Sequence, residues 1–182
     1  VDSNGNSIKN DLTYYIQIIS IPVDNKIRGA ITDGQDSITL SLTQLKDLYI
    51  SSSSTHSVQV YDGVTGEFKK DFVPTRSGGL GTTQEVLFGK DGNLYVSGLG
   101  NQFIKKYNGQ TGAFLEDFTS GYILDAPTKM AFGPDGHLYV SQWGQTHALV
   151  RFDSSSGEYI DTVIPFNERI MGQAWDSEGN LF

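Results

Sequence analysis

The stretch FGPDGHLYVSQWG, Phe132 to Gly144, holds two apolar runs separated by Pro-Asp-Gly-His. An acid followed by glycine between alternating apolar residues is hairpin chemistry: the glycine takes the positive φ that the turn demands, and the acid caps its own backbone. The pattern returns upstream as FGKDGNLYVSGLG, Phe88 to Gly100, and downstream as WDSEGNLF, Trp175 to Phe182, with a worn copy, TQLKDLYISSSST, from Thr43 to Thr55. The leucines that open the second strand are Leu48, Leu94, Leu138 and Leu181, spaced 46, 44 and 43 residues apart. A fixed period of this size marks a repeat architecture.

Laid in register, each unit opens with a short apolar strand: EVLFG from Glu85, KMAFG from Lys129, GQAWD from Gly172. The turns KDGN, PDGH and SEGN follow, then LYVS-type strands with β-branched and aromatic residues at period two. A third strand appears as SVQVYDG, QFIKKYNG and ALVRFDS, and a fourth after TG or SG as GEFKKDFV, GAFLEDFT and GEYIDTVI. Four antiparallel strands per period, without helical periodicity, predict an all-β chain. It is read as a β-propeller segment of four-stranded antiparallel blades, about three full blades plus the start of a fourth. The expected blades are 37–80, 81–125, 126–168 and a partial 169–182, with residues 81–120 and 126–164 superimposable. Gly92 and Gly136 are expected at positive φ, and a valine is expected to cost more at Gly136 than at Gly109.

The chain has 182 residues, a net charge of −8 and no cysteine. Its 13 basic residues are scattered singly or in pairs such as Lys69-Lys70 and Lys105-Lys106, so no basic stripe points to nucleic acid. No apolar run is long enough for a membrane-spanning helix. Without cysteine there is no disulfide framework, thiolate nucleophile or zinc-thiolate site, which suits an oxidising exterior. Abundant Ser, Thr, Gly and Asn point the same way, to an extracellular or cell-surface location.

The FGPDGxLYVS hairpin with YDGxTGxF behind it resembles the NHL-type blade found in six-bladed gluconolactonase-like and virginiamycin B lyase-like enzymes, over about Ser37 to Phe182. The resemblance implies a propeller. It also raises a lyase or lactonase whose site is completed by blades outside this chain. Residues 1–36 contain strand-like DLTYYIQIIS and NKIRGAIT but not the repeat hairpin. VDSNGNSI with ITDGQDSITLSL resembles a surface immunoglobulin-like module; a diverged blade or a strand closing a ring fits the segment as well. Six blades at this period need on the order of 260 residues. Further blades of the same polypeptide, or other chains in a homo-oligomer or larger assembly, are therefore expected to cover the open sheet edges and apolar residues such as Met171, Ala174 and Trp175.

In such a fold, ligands sit where linkers lead into the inner strands and loops leave the second strands. The register places Glu85, Lys129 and Gln173 at the inner strands, Ser51, Ser97 and Ser141 at the ends of the second strands, and His56, His147 and Trp143 in the loops beyond. One acid, one base and one amide are no metal set, and no cofactor is called for. His56 and His147 occupy nearly equivalent points and suit acid–base chemistry, but each lacks a carboxylate partner at its own level and reads first as a solvated loop residue. Trp143 offers an indole to a ligand or to the next blade. Asp91, Asp135 and Glu178 read as caps of their own turns, His137 as a turn residue, and the tyrosine ladder Tyr49, Tyr95 and Tyr139 as packing between blades. RSGGLG, from Arg76, has no lysine or helix behind it and is a linker, not a phosphate loop. The residues together predict a non-catalytic scaffold or binding module, with Glu85, Lys129, Gln173, Trp143, His56 and His147 as its candidate binding face.

Overall fold

The computed structural model describes residues 47–165 and 172–182, together with the backbone of residues 26–28 and 39–41. The expected strand DLTYYIQIIS and Met171 lie outside the described residues, as does most of 1–36. The chain divides into two units, Val1–Lys46 and Asp47–Phe182. In the first, β1 (Lys26–Arg28) pairs antiparallel with β2 (Thr39–Ser41). β2 stands one period before the start of a blade, yet its partner is β1, so the blade expected at 37–80 is described by three strands rather than four.

The second unit is a series of antiparallel meanders. β3 (Leu48–Ser52), β4 (Ser57–Tyr61) and β5 (Phe68–Val73) form one sheet. β6 (Thr83–Phe88), β7 (Leu94–Gly98), β8 (Lys105–Tyr107) and β9 (Phe114–Asp117) form the next. β10 (Pro127–Phe132), β11 (Leu138–Gln142), β12 (Ala148–Phe152) and β13 (Tyr159–Pro165) form the third. A bridge between Trp175 and Leu181 begins a further hairpin. The two four-stranded sheets share register, Phe88 opposite Leu94 and Phe132 opposite Leu138, and their inner strands break step at the same place, Thr83 to Val86 and Pro127 to Met130. Among the described residues the one helical element is a 3-10 turn at Ser77–Gly79, inside the linker RSGGLG.

The apolar core lies between sheets. Val58, Val60, Phe72, Val73 and Leu80 meet Leu94, Val96 and Tyr107 in one seam, while Tyr95, Ile104 and Phe118 meet Met130, Leu138, Val140 and Phe152 in the next. β7 therefore sends Leu94 and Val96 backwards and Tyr95 forwards, which is what a strand of period two does when both faces are covered. The ladder tyrosines make edge-to-face contacts with the following sheet: Tyr49 with Phe88 at 4.9 Å, Tyr95 with Phe132 at 5.8 Å and Tyr139 with Trp175 at 5.0 Å between centroids. Such pairs add roughly 0.5–1.5 kcal/mol beyond their buried area.

Gly92 and Gly136 have φ of 77° and 84°, as their turns require. Gly109 overturns the expectation that it is the more tolerant site. A Cβ there would lie 1.7 Å from the Gly92 carbonyl oxygen, whereas nothing stands within 4 Å of one at Gly136. The turn after β8 is pressed against the hairpin turn of its own sheet, a constraint of close approach that no turn rule encodes. Gly109→Ala is accordingly expected to lower the urea midpoint more than Gly136→Ala, whose cost is about 1 kcal/mol from its left-handed backbone. Equal losses would show that the turn relaxes freely.

Candidate functional site

The strands alternate in direction, so the linkers into β6 and β10 share one mouth with the loops that follow β3, β7 and β11. Three serines at the ends of those strands reach forward to the next sheet. Ser51 donates through Oγ to the Gln84 carbonyl at 2.8 Å, Ser97 to the Thr128 carbonyl, and Ser141 to Gln173 Oε1 at 2.9 Å. Ser97 and Ser141 are fully buried. A buried hydroxyl needs a partner, and the period supplies one from the neighbouring blade.

The predicted inner-strand residues are engaged in the same seams. Glu85 accepts from the Met130 backbone N–H at 2.7 Å through Oε2 and from Lys129 Nζ at 2.7 Å through Oε1, so one carboxylate clamps the next sheet. Gln173 donates from Nε2 to the Tyr139 carbonyl at 2.7 Å while taking the Ser141 hydroxyl. Glu85 and Lys129 thus come together, and Gln173 serves the following seam.

The two predicted histidines share a backbone strain, with φ of 53° at His56 and 41° at His147. His56 Nδ1 accepts from the Thr82 N–H at 2.7 Å and its carbonyl accepts from the Arg76 N–H at 2.9 Å, so it grips both ends of the linker into β6. With Nδ1 as acceptor, the neutral ring carries its proton on Nε2. His147 Nε2 is buried with no hydrogen-bond partner among the described residues. The one described partner of the His56 ring is a backbone N–H, and neither ring is bonded to a carboxylate among the described residues. Trp143 is anchored by its backbone N–H on the Ala126 carbonyl at 3.0 Å. The loop after it wraps Asp125, which accepts from the Gln145 and Thr146 N–H groups; a Cβ on Gly144 would strike that carboxylate. Sequence reasoning missed Asp125, Asn101 and Gln142. The two amides hold the linkers, Asn101 accepting from the Gly81 N–H and Gln142 from the Asp125 N–H.

At the opposite mouth, Asp91 and Asp135 cap their turns as expected, each also taking its strand tyrosine, Tyr95 at 3.0 Å and Tyr139 at 2.9 Å. Glu178 does not. In that copy Asp176, standing where the others have Gly89 and Gly133, accepts from Glu178 and Asn180 and caps the turn instead. Burial pushes the Asp91 carboxyl up, but donation from Asn93, Tyr95 and Lys106 outweighs it and holds the group at about 2. Among the described residues no three His, Asp or Glu side chains converge as a metal site, and no helix is long and apolar enough to cross a membrane.

Solved structures share this arrangement of sheets. Hydrazine synthase of Kuenenia stuttgartiensis matches at 20% identity over 74% of this chain and 37% of that one, with a TM-score of 0.61. The WD40 β-propeller domain of Doa1 matches at 13% identity over 77% of this chain and 44% of that one, with a TM-score of 0.59. The fold is a β-propeller. The computationally designed Ika4 protein is also similar, at 13% identity over 75% of this chain and 83% of that one, with a TM-score of 0.53. The chain spans less than half the length of the first two proteins. No family model matches this propeller, and no curated protein does. Likeness at such identity establishes architecture and leaves activity to the site.

Three outcomes follow from these contacts. Glu85→Ala should cost about 1–3 kcal/mol in urea denaturation, because it strips a charge-assisted partner from a backbone N–H, with Glu85→Gln recovering part of the loss. Lys129→Ala should cost under about 1 kcal/mol, its side chain being 49% exposed. A depressed carboxylate contributes stability above its unfolded pKa and loses it as pH falls through the folded one. The Asp91 contribution is therefore present above about pH 4 and fades towards pH 2, and Asp91→Asn should make the acid loss of stability shallower.

Proposed function

We propose that this propeller, of the NHL type, is a non-catalytic scaffold or binding module working outside the cell or on its surface within a larger polypeptide or assembly. The observation that carries the reading is the fate of the polar residues at the predicted mouth. Glu85, Lys129, Gln173 and the three serines are bonded to one another and to the next sheet's backbone, so groups that could have served chemistry instead hold the blades together. The histidines clasp linkers or lack a carboxylate to orient them, and acid–base catalysis wants such an orienting partner.

Charge, composition and lack of cysteine support the location. The immunoglobulin-like resemblance of residues 1–36 accords with it. Association is part of the proposal: Leu48 and Ile50 of β3 are 49% and 46% exposed, while Leu94 and Val96, at the same positions of β7, are wholly buried by the sheet behind them. A further blade, from the same polypeptide or from another chain, would bury that face as the first described sheet buries β7. The test is enzymatic. Incubation of the protein with gluconolactone and with a macrocyclic lactone is expected to give no turnover above buffer; ring opening that His56→Ala or His147→Ala abolishes would overturn the reading in favour of a propeller lyase or lactonase.

A further inference from the structure

Left-handed backbone is concentrated at one mouth of this propeller. The described non-glycine residues with positive φ are His56, Arg76, Thr82, Ala126 and His147, and all lie in linkers into inner strands or in loops after second strands. A residue with a Cβ keeps this conformation only where its surroundings hold it there. Three of these residues are joined. His56 Nδ1 accepts from the Thr82 N–H at 2.7 Å, and the His56 carbonyl accepts from the Arg76 N–H at 2.9 Å. One histidine therefore pins the linker into β6 near both of its ends.

The pin depends on an unprotonated nitrogen. A protonated imidazole carries hydrogen on both ring nitrogens and cannot accept, so Nδ1–H would face the Thr82 N–H. Counted back from Tyr61 and Tyr107, which pair with Leu48 and Leu94, the next blade has Gln102 at this position. Gln102 does not titrate, and it holds the Leu124 N–H through its backbone carbonyl. The surroundings of the His56 ring do not reward a proton. Loops 51–57 and 98–102 carry no other titratable side chain, and linker 74–82 carries Arg76 alone. Behind the linker, Lys105 stands 3.8 Å from where a Cβ on Gly79 would sit and is paired with Asp117. On β6, Glu85 is held by Lys129 and the Met130 N–H. No carboxylate bonded to the ring offsets the contact that protonation removes.

We infer that His56 is a proton-operated clasp: neutral, it holds linker 76–82 in its left-handed course, and protonation releases that linker at the mouth of the propeller. The closed form has no proton on Nδ1 and the open form can take one. Acid therefore shifts the population in one direction only, towards the open linker. Histidine side chains change charge between about pH 5 and 8, which sets the range. The other described histidines operate elsewhere. His137 lies at the opposite mouth, 3.7 Å from Asp153, and His147 Nε2 is buried without a hydrogen-bond partner among the described residues. The clasp needs no ligand and does not rest on the scaffold reading.

The test is hydrogen exchange of the full chain, followed amide by amide in two-dimensional NMR between about pH 7.5 and about pH 5, with rates corrected for the intrinsic effect of pH. Protection at Thr82 and Arg76 is expected to fall by about fivefold or more on acidification, in step with titration of the His56 ring. Asp125, whose N–H is held by the Gln142 side-chain amide at 2.8 Å, should keep its protection. His56→Asn offers an acceptor that does not titrate, on a residue that tolerates positive φ, and should keep Thr82 protected throughout. His56→Ala should leave it unprotected throughout. Unchanged Thr82 protection across the range overturns the inference, as does a loss that does not follow the His56 ring. A wild-type pH response in folded His56→Asn overturns it as well, since another group would then operate the linker. Should His56→Asn unfold, the comparison of Thr82 with the His56 ring, made within the wild-type chain, decides the matter.

Discussion

The second strands of the two four-stranded blades are buried on both faces, and the rest of the structure answers that demand. β7 and β11 have no exposed residue, although each is only five residues long. A strand in this situation must find apolar cover in front and behind, and it must also satisfy any polar atom it carries. The sequence LYVS meets both needs at once. Leucine and valine fill the seam behind, tyrosine fills the seam ahead, and the serine hydroxyl crosses to the inner strand of the next blade. No single sheet could bury these residues alone, so the stability of a blade resides in its neighbours.

The links between blades run both ways, Lys129 and Gln173 reaching back to the sheet before them. Tyr49, Ser51, Tyr95, Ser97, Glu85, Tyr139 and Ser141 all reach from one blade to the following one. These two-way contacts explain why the inner-strand residues are spent on structure. A carboxylate placed at Glu85 meets the free N–H that the step in β10 between Pro127 and Met130 leaves at Met130, and a backbone donor of that kind takes up the group that a ligand or metal would otherwise use. The bulge and the acid are one device.

Much of the fold could be read directly, because turns and alternation are local. The Asp-Gly and Glu-Gly hairpins, the strand order and the packing role of the tyrosines all follow from residues within a few positions of each other. What escaped was long-range or geometrical. Ser97 looks like an ordinary strand-end serine until its partner, 31 residues away, is seen. Gly109 looks like an ordinary turn glycine until the Gly92 carbonyl is found against it. The repeat places Glu178 where the other turns have aspartate, but a cap is defined by reach, and Asp176, two residues earlier, has it. The candidate face was legible as a set of positions but not as a set of contacts, since the register says which residues share a mouth and not which neighbour each one holds.

A repeat protein keeps its framework by using the same contacts in every unit, so departures from the repeat carry the individuality of the chain. The framework positions here vary little: Tyr95 and Tyr139, Asp91 and Asp135, Ser97 and Ser141, with Lys106 and Arg151 exchanging one cation for another. The variable positions lie at the rims. Trp143 and Leu99 differ in the loops of one mouth, and Lys90 and Pro134 differ in the turns of the other. Changing a rim residue leaves the seam below intact, because the seam's energy comes from strands buried on both faces. Propeller rims can therefore diverge at small cost to folding.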